Sequence, residues 1–145
     1  MPTQTHTPSR RPFGLVLLTL IYLGLALLGW LRMEQAFQNW AFLNELGIQP
    51  GPLYLAVSGA IWGFVASTAS IGLWTRAHWS YRAAQMAGVL LSLAYWIDRL
   101  WITQPSLSFQ NWPFEAGFTV FGLGINFWLI HRLVRRGSLP GAPNN

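Results

Sequence analysis

The chain is written in long apolar blocks separated by short polar breaks. Four of these, residues 13–31, 53–74, 81–101 and 114–131, come close to the roughly 20 residues that an α-helix needs to cross the hydrocarbon of a bilayer. The pattern predicts an all-α fold, an integral membrane bundle of four transmembrane helices. Between the first two blocks the periodicity changes. Over residues 33–46, Met33, Ala36, Phe37, Trp40 and Leu43 share one helical face, while Glu34, Gln35, Gln38, Asn39 and Glu45 largely avoid it. That spacing predicts a short amphipathic helix, lying at the outer interface or extending the first span.

Punctuation supports these limits. All nine prolines fall in tails, loops or first turns, as they must when an interior proline costs about 3 kcal/mol. Gly47 is a helix stop, Pro50-Gly51-Pro52 a turn, and Pro12, Pro52 and Pro113 stand at helix starts. Only residues 75–80 separate the second and third blocks, so these spans are expected to be antiparallel neighbours, with Ser80 as an N-cap. Residues 1–11 and 137–145 carry too little apolar surface to order themselves and are expected to be disordered cytoplasmic tails, flanking one domain at 12–136.

Charge adds direction. Arg10 and Arg11, residues 76–82 and residues 131–136 hold seven arginines and no carboxylate, whereas the four acidic residues Glu34, Glu45, Asp98 and Glu115 share the alternate segments with Arg32 and Arg99. Basic residues are enriched in cytoplasmic loops, so both termini are expected on the cytoplasmic side of the inner membrane. Composition agrees: 52% of the 145 residues are hydrophobic and 9% charged, far below the quarter or so usual in soluble domains. The net charge of +5 comes from arginines flanking apolar spans, which suit lipid headgroups and form no groove for nucleic acid. Cysteine is absent, which excludes disulfides, thiolate nucleophiles, Cys-ligated zinc and iron–sulfur clusters. Ser9-Arg10-Arg11-Pro12-Phe13 resembles a twin-arginine export motif, but the apolar run after it is long and lacks a small-residue cleavage site, so an uncleaved first span is expected.

In lipid, helices associate through close backbone approach, so small residues mark seams. On the second span Ala56, Gly59, Ala60, Gly63, Ser67 and Ser70 follow helical spacing; on the third, Ala84, Gly88 and Ser92 repeat at every fourth position. A seam between spans two and three is expected, with docking of another span as the alternative use. Gly24 is the small residue taken from span one and Gly117, Gly124 and Asn126 those from span four, where Asn126 is expected to hydrogen-bond across the bundle.

Candidate chemistry is sparse. No ionisable residue lies mid-span, where transporters and proton relays place one. Ala56-Val57-Ser58-Gly59 resembles the Gly-x-Ser-Gly of intramembrane serine proteases but lacks its first glycine, and no mid-span histidine accompanies it. His6, His78 and His131 lie outside the span centres and supply no metal or haem site. Trp62, Trp96 and Trp128 lie deeper than the other tryptophans, filling bulk or lining a site for a flat apolar ligand; Trp30 marks the outer interface. The densest cluster is Tyr95-Trp96-Ile97-Asp98-Arg99-Leu100-Trp101. Asp98 and Arg99 point about 100° apart on a helix, so Arg32 is the expected partner of Asp98, and Glu115 or Glu34 that of Arg99. Alternatively, Asp98 and Arg99 hold a polar headgroup while Tyr95, Trp96 and Trp101 hold its apolar part; acid–base work between Asp98 and Glu115 is a third use. No cofactor is implied. The expected function is that of a non-catalytic accessory or assembly subunit in contact with membrane lipids and with other membrane subunits or itself. The alternative is a binder or carrier of a lipid-like or flat apolar ligand such as a quinone or pigment.

Overall fold

A computed structural model describes residues 12–47, 50–102 and 112–135. The tails, residues 103–111 and the side chain of Trp101 lie outside the described part, and with them the expectations placed there. Among the described residues the chain is helical almost throughout and contains no strand. Five α-helices follow in order: α1 (Phe13–Gln38), α2 (Trp40–Glu45), α3 (Pro52–Thr75), α4 (Ser80–Ile97) and α5 (Trp112–Arg135), with a π-helical segment, Asp98–Ile102, continuing α4.

Each helix limit has a local cause. Pro12 caps α1 with extended backbone and Pro52 occupies the first turn of α3 behind Gly51, so neither sacrifices an intrahelical hydrogen bond. Gly47 closes α2 at φ 58°, its amide donating to Asn44 O at 3.1 Å. Arg76 ends α3 in the left-handed region at φ 53°, and the Ala77 amide reaches back to Gly72 O at 3.1 Å. Two expectations need correction. Ser80 does not cap α4: Trp79 holds the cap position, and the buried Ser80 hydroxyl has no hydrogen-bond partner in the structure. The amphipathic stretch is not one separate helix at 33–46; of its two expected placements, extension of the first span holds as far as Gln38. α1 runs unbroken through Gln38, the chain bends at Asn39, and only Trp40–Glu45 forms a separate turn and a half. The Asn39 side-chain amide donates to Gln35 O at 2.9 Å, tying the bend to the helix before it.

α1, α3 and α5, of 26, 24 and 24 residues, are each long and apolar enough to cross a membrane. Their outward faces carry Leu20, Leu27, Leu28, Ile61, Phe64, Ile71, Phe118 and Phe121, all exposed. A soluble protein does not surround itself with such a continuous apolar surface, and the chain is a membrane-associated helical protein. α4 is less apolar because Tyr81, Arg82 and Gln85 fall in its first turns.

The core is shared by four helices and sits toward the arginine-bearing end. It joins Leu15, Leu18, Tyr22 and Ala26 of α1 to Ala66, Ala69 and Leu73 of α3, Ala84, Ala87 and Leu91 of α4, and Leu129, Ile130 and Leu133 of α5. Neighbours run antiparallel, since the start of α1 meets the end of α3, the start of α4 and the end of α5. By far the most extensive contact is between α1 and α3. Here the expected seam is corrected: Gly59 and Gly63 face α1 and not α4. A Cβ on Gly59 would come within 2.7 Å of Met33 N, and one on Gly63 within 2.8 Å of the Trp30 ring; Gly29 is wedged between them, against Gly63 N and Gly59 O. Backbones this close permit Cα–H···O contacts that any side chain would block. Gly24, the small residue singled out on α1, has open space around it.

Candidate functional site

Polar groups meet at three levels of the bundle. At the end farthest from the core, Arg32 of α1 pairs with Asp98 at 3.2 Å, and Arg99 pairs through Nε with Glu115 of α5 at 2.8 Å. Tyr95, one turn before Arg99, donates its hydroxyl to the same Glu115 carboxylate at 2.6 Å. Tyr54, in the first turn of α3, lies close enough to Asp98 and Arg32 to interact with both. The cluster therefore draws all four long helices together at one level.

The π-helical segment makes this geometry. Asp98 and Arg99 are adjacent, and they are the first residues of a wider turn in which the i→i+4 ladder is abandoned. One points to α1 and the other to α5. The Arg99 and Glu115 side chains are 18% and 26% exposed, against 32% and 23% for Arg32 and Asp98, so the first pair is the better shielded and the more strongly coupled. Glu34 is not part of the network; it accepts from Gln38 Nε2 at 2.9 Å on the exposed face of α1.

Midway through the bundle, the Tyr22 hydroxyl donates to the Ala84 carbonyl across from α1 to α4, and lies 3.3 Å from Asn126 Oδ1 of α5. A Cβ on Gly88 would come within 2.6 Å of Asn126 Nδ2, which has no partner in the structure. Gly88 is thus kept bare for Asn126 and not for α3. Beside it, Ser70 donates to Thr19 O at 3.3 Å, joining α3 to α1. The Ala84 carbonyl is taken by Tyr22 of α1; Ser67 accepts from Trp30 Nε1 at 3.3 Å, so the Trp30 indole belongs to the α1–α3 seam and not only to an interface. Ala56 is buried and Ser92 half-buried.

At the arginine-bearing end, Trp79 stacks over Gly72, Arg82 lies 5.6 Å from the Tyr81 ring centre and Arg132 lies 5.2 Å from that of Trp128. Trp62 packs against the core, Trp96 meets Tyr95 edge-on at 5.9 Å, and Trp128 is exposed. These three do not gather around one space. Among the described residues no three His, Asp or Glu side chains come together as metal ligands. Chemically, both carboxylates of the far cluster are held as acceptors by guanidinium groups, and Glu115 also by a phenol. Such an arrangement fastens helices to one another.

Three contributors escape a reading of residue types alone: Gly29, Tyr22 and Tyr54. Ala26, Gly29, Met33 and Ala36 form a helical stripe of mostly small residues on α1, which was the available signal for the seam. No protein family, curated protein or solved structure matches the chain.

Proposed function

We propose that this protein is a non-catalytic accessory or assembly subunit of a membrane complex, crossing the inner membrane four times with both termini on the cytoplasmic side, and that α5 is the helix it offers to its partner. The observation that carries this reading is the contrast in how glycines are used. In the α1–α3 seam every glycine touches the facing helix, whereas Gly117, Gly122 and Gly124 of α5 have nothing within 4 Å of where a Cβ would stand. Only 22% of the most apolar stretch of α5 is buried, against 33% in α1 and 39% in α3. In lipid a bare glycine face is useful where another backbone approaches. The paired state of Asp98, Arg99 and Glu115 supports a fastening role over headgroup capture or acid–base chemistry.

The four-span topology draws support from the continuity of α4 with its π-helical segment. Together they run from Ser80 to Ile102, about the length of a span, antiparallel to α3 and α5. Because the chain has no cysteine, single cysteines report sidedness without background. One placed in residues 104–111 is expected to label from outside and one in residues 137–145 only from inside; the reverse, or labelling on one side alone, defeats the topology.

The subunit reading is tested by a photo-crosslinking residue at Phe121 of α5, with Ile61 of α3 as the control position. A discrete heteromeric or homomeric adduct from Phe121, lost in Gly117→Leu/Gly124→Leu, is expected. Adducts only to lipid from both positions, with the chain recovered alone as a monomer in gentle detergent, would refute it.

A further inference from the structure

The outward face of α5 carries charge as well as glycine. Gly117, Phe121, Gly124 and Trp128 fall within about 60° of one another around the helix axis, and all four are exposed. Asn126, Ile130 and Leu133, which are buried in the bundle, lie on the opposite side. Arg132 and Arg135 continue the outward face, within about 50° of its middle, and both are exposed. The Trp128 ring holds Arg132 there, with 5.2 Å between the guanidinium carbon and the ring centre. Neither arginine forms an ion pair among the described residues. The four acidic side chains, Glu34, Glu45, Asp98 and Glu115, all belong toward the other end of the bundle.

These charges bear on what can cover the face. Copies of this chain inserted the same way round would bring their α5 helices together in parallel, and an interface about a two-fold axis uses the same patch on both copies. Arg132 and Arg135 of one copy would then meet Arg132 and Arg135 of the other, with no carboxylate between them. Like charges set against each other reject a partner that the apolar contact alone would accept. A helix of another protein with an acidic residue at that level meets attraction where a second copy meets repulsion.

We propose that the outward face of α5 docks a transmembrane helix of a different protein, one carrying Asp or Glu at the level of Arg132 and Arg135, and that these two arginines turn away a second copy of this chain. The inference rests on the reading of α5 as the partner-facing helix and adds which partner fits. Two differently tagged copies, each with a photo-crosslinking residue at Phe121, are produced together in one host membrane so that both insert the same way round. Unsubstituted copies are expected to give only a trace of two-tag adduct. An unsubstituted copy beside Arg132→Glu/Arg135→Glu raises that adduct roughly tenfold, and Gly117→Leu/Gly124→Leu in either copy abolishes the gain. Arg132→Gln/Arg135→Gln removes the repulsion without reversing it and forms the adduct with itself, which keeps the test open if the reversed variant does not insert. Arg82→Glu, at the same end of the bundle but on α4, leaves the trace unchanged. A strong two-tag adduct between unsubstituted copies overturns the inference and leaves the subunit reading standing. An equal gain from Arg82→Glu overturns it as well, since the charge on α5 would then select nothing. Lipid adducts alone in every combination also overturn it; the subunit reading is then decided by the Phe121 adduct in the native membrane, which needs no second copy.

Discussion

The α1–α3 pair and the α4–α5 pair are antiparallel neighbours in one bundle, and they are joined in opposite ways. α1 and α3 meet backbone to backbone through Gly29, Gly59 and Gly63, with the Trp30 indole laid over Gly63. α4 and α5 touch far less and are joined by polar clips at one end, Arg99 and Tyr95 on Glu115. Where water does not drive helices together, closeness has to come from small residues or from hydrogen bonds. The first pair uses one device and the second the other. A continuous dry contact is hard to open in part, whereas clips can be undone one at a time.

The strongest break of this contrast is Gly59→Leu. Its side chain would have to displace the Met33 and Gly29 backbones, which lie 2.7 and 2.8 Å from the Cβ position. A loss of about 3 kcal/mol is expected, at the upper end of the usual overpacking cost, read as a large drop in the thermal midpoint in detergent. Next comes Arg99→Ala, expected to destabilise by about 2 kcal/mol because it strands the Glu115 carboxylate in a partly shielded place. Glu115→Gln in the same background is expected to recover part of that loss, and a double-mutant cycle in which the two effects simply add would remove the clip. Tyr22→Phe should cost about 1 kcal/mol, the worth of its hydrogen bond to the Ala84 carbonyl. Smallest in stability is Gly117→Leu/Gly124→Leu, within about 0.5 kcal/mol, since both face open space. If that pair proves as damaging as Gly59→Leu in the isolated protein, the two halves of the bundle are not different in kind.

Much of the scaffold was legible from residue order. Pro12 and Pro52 stand at the starts of α1 and α3, and Gly47 and Pro50 bracket the break before α3, because these residues act through their own backbone and need no partner. The far cluster was legible for a related reason: few charges are present, and span polarity puts Arg32, Asp98, Arg99 and Glu115 at one level. What residue order does not contain is which way a stripe faces. Gly59 and Gly63 mark a surface of close approach, yet nothing in their spacing distinguishes α1 from α4 as the neighbour, and the short connection at residues 76–79 favours the wrong one. Gly24 and Gly29 are likewise the same residue on the same helix; only the positions of Ala26 and Ala36 around Gly29 separate the used glycine from the idle one. The bend at Asn39 was hidden because the apolar face of Met33 and Ala36 continues past it to Trp40.

Arg76 stands alone among the described residues as a non-glycine with positive φ. A side chain in that conformation costs about 1 kcal/mol that glycine would avoid, so the corner between α3 and α4 is less stable than glycine would make it. On the four-span reading the same residue is one of the fixed charges that tell the insertion machinery which way to thread the nascent chain. On that reading, sturdiness of the finished corner and fidelity of its threading compete at a single position.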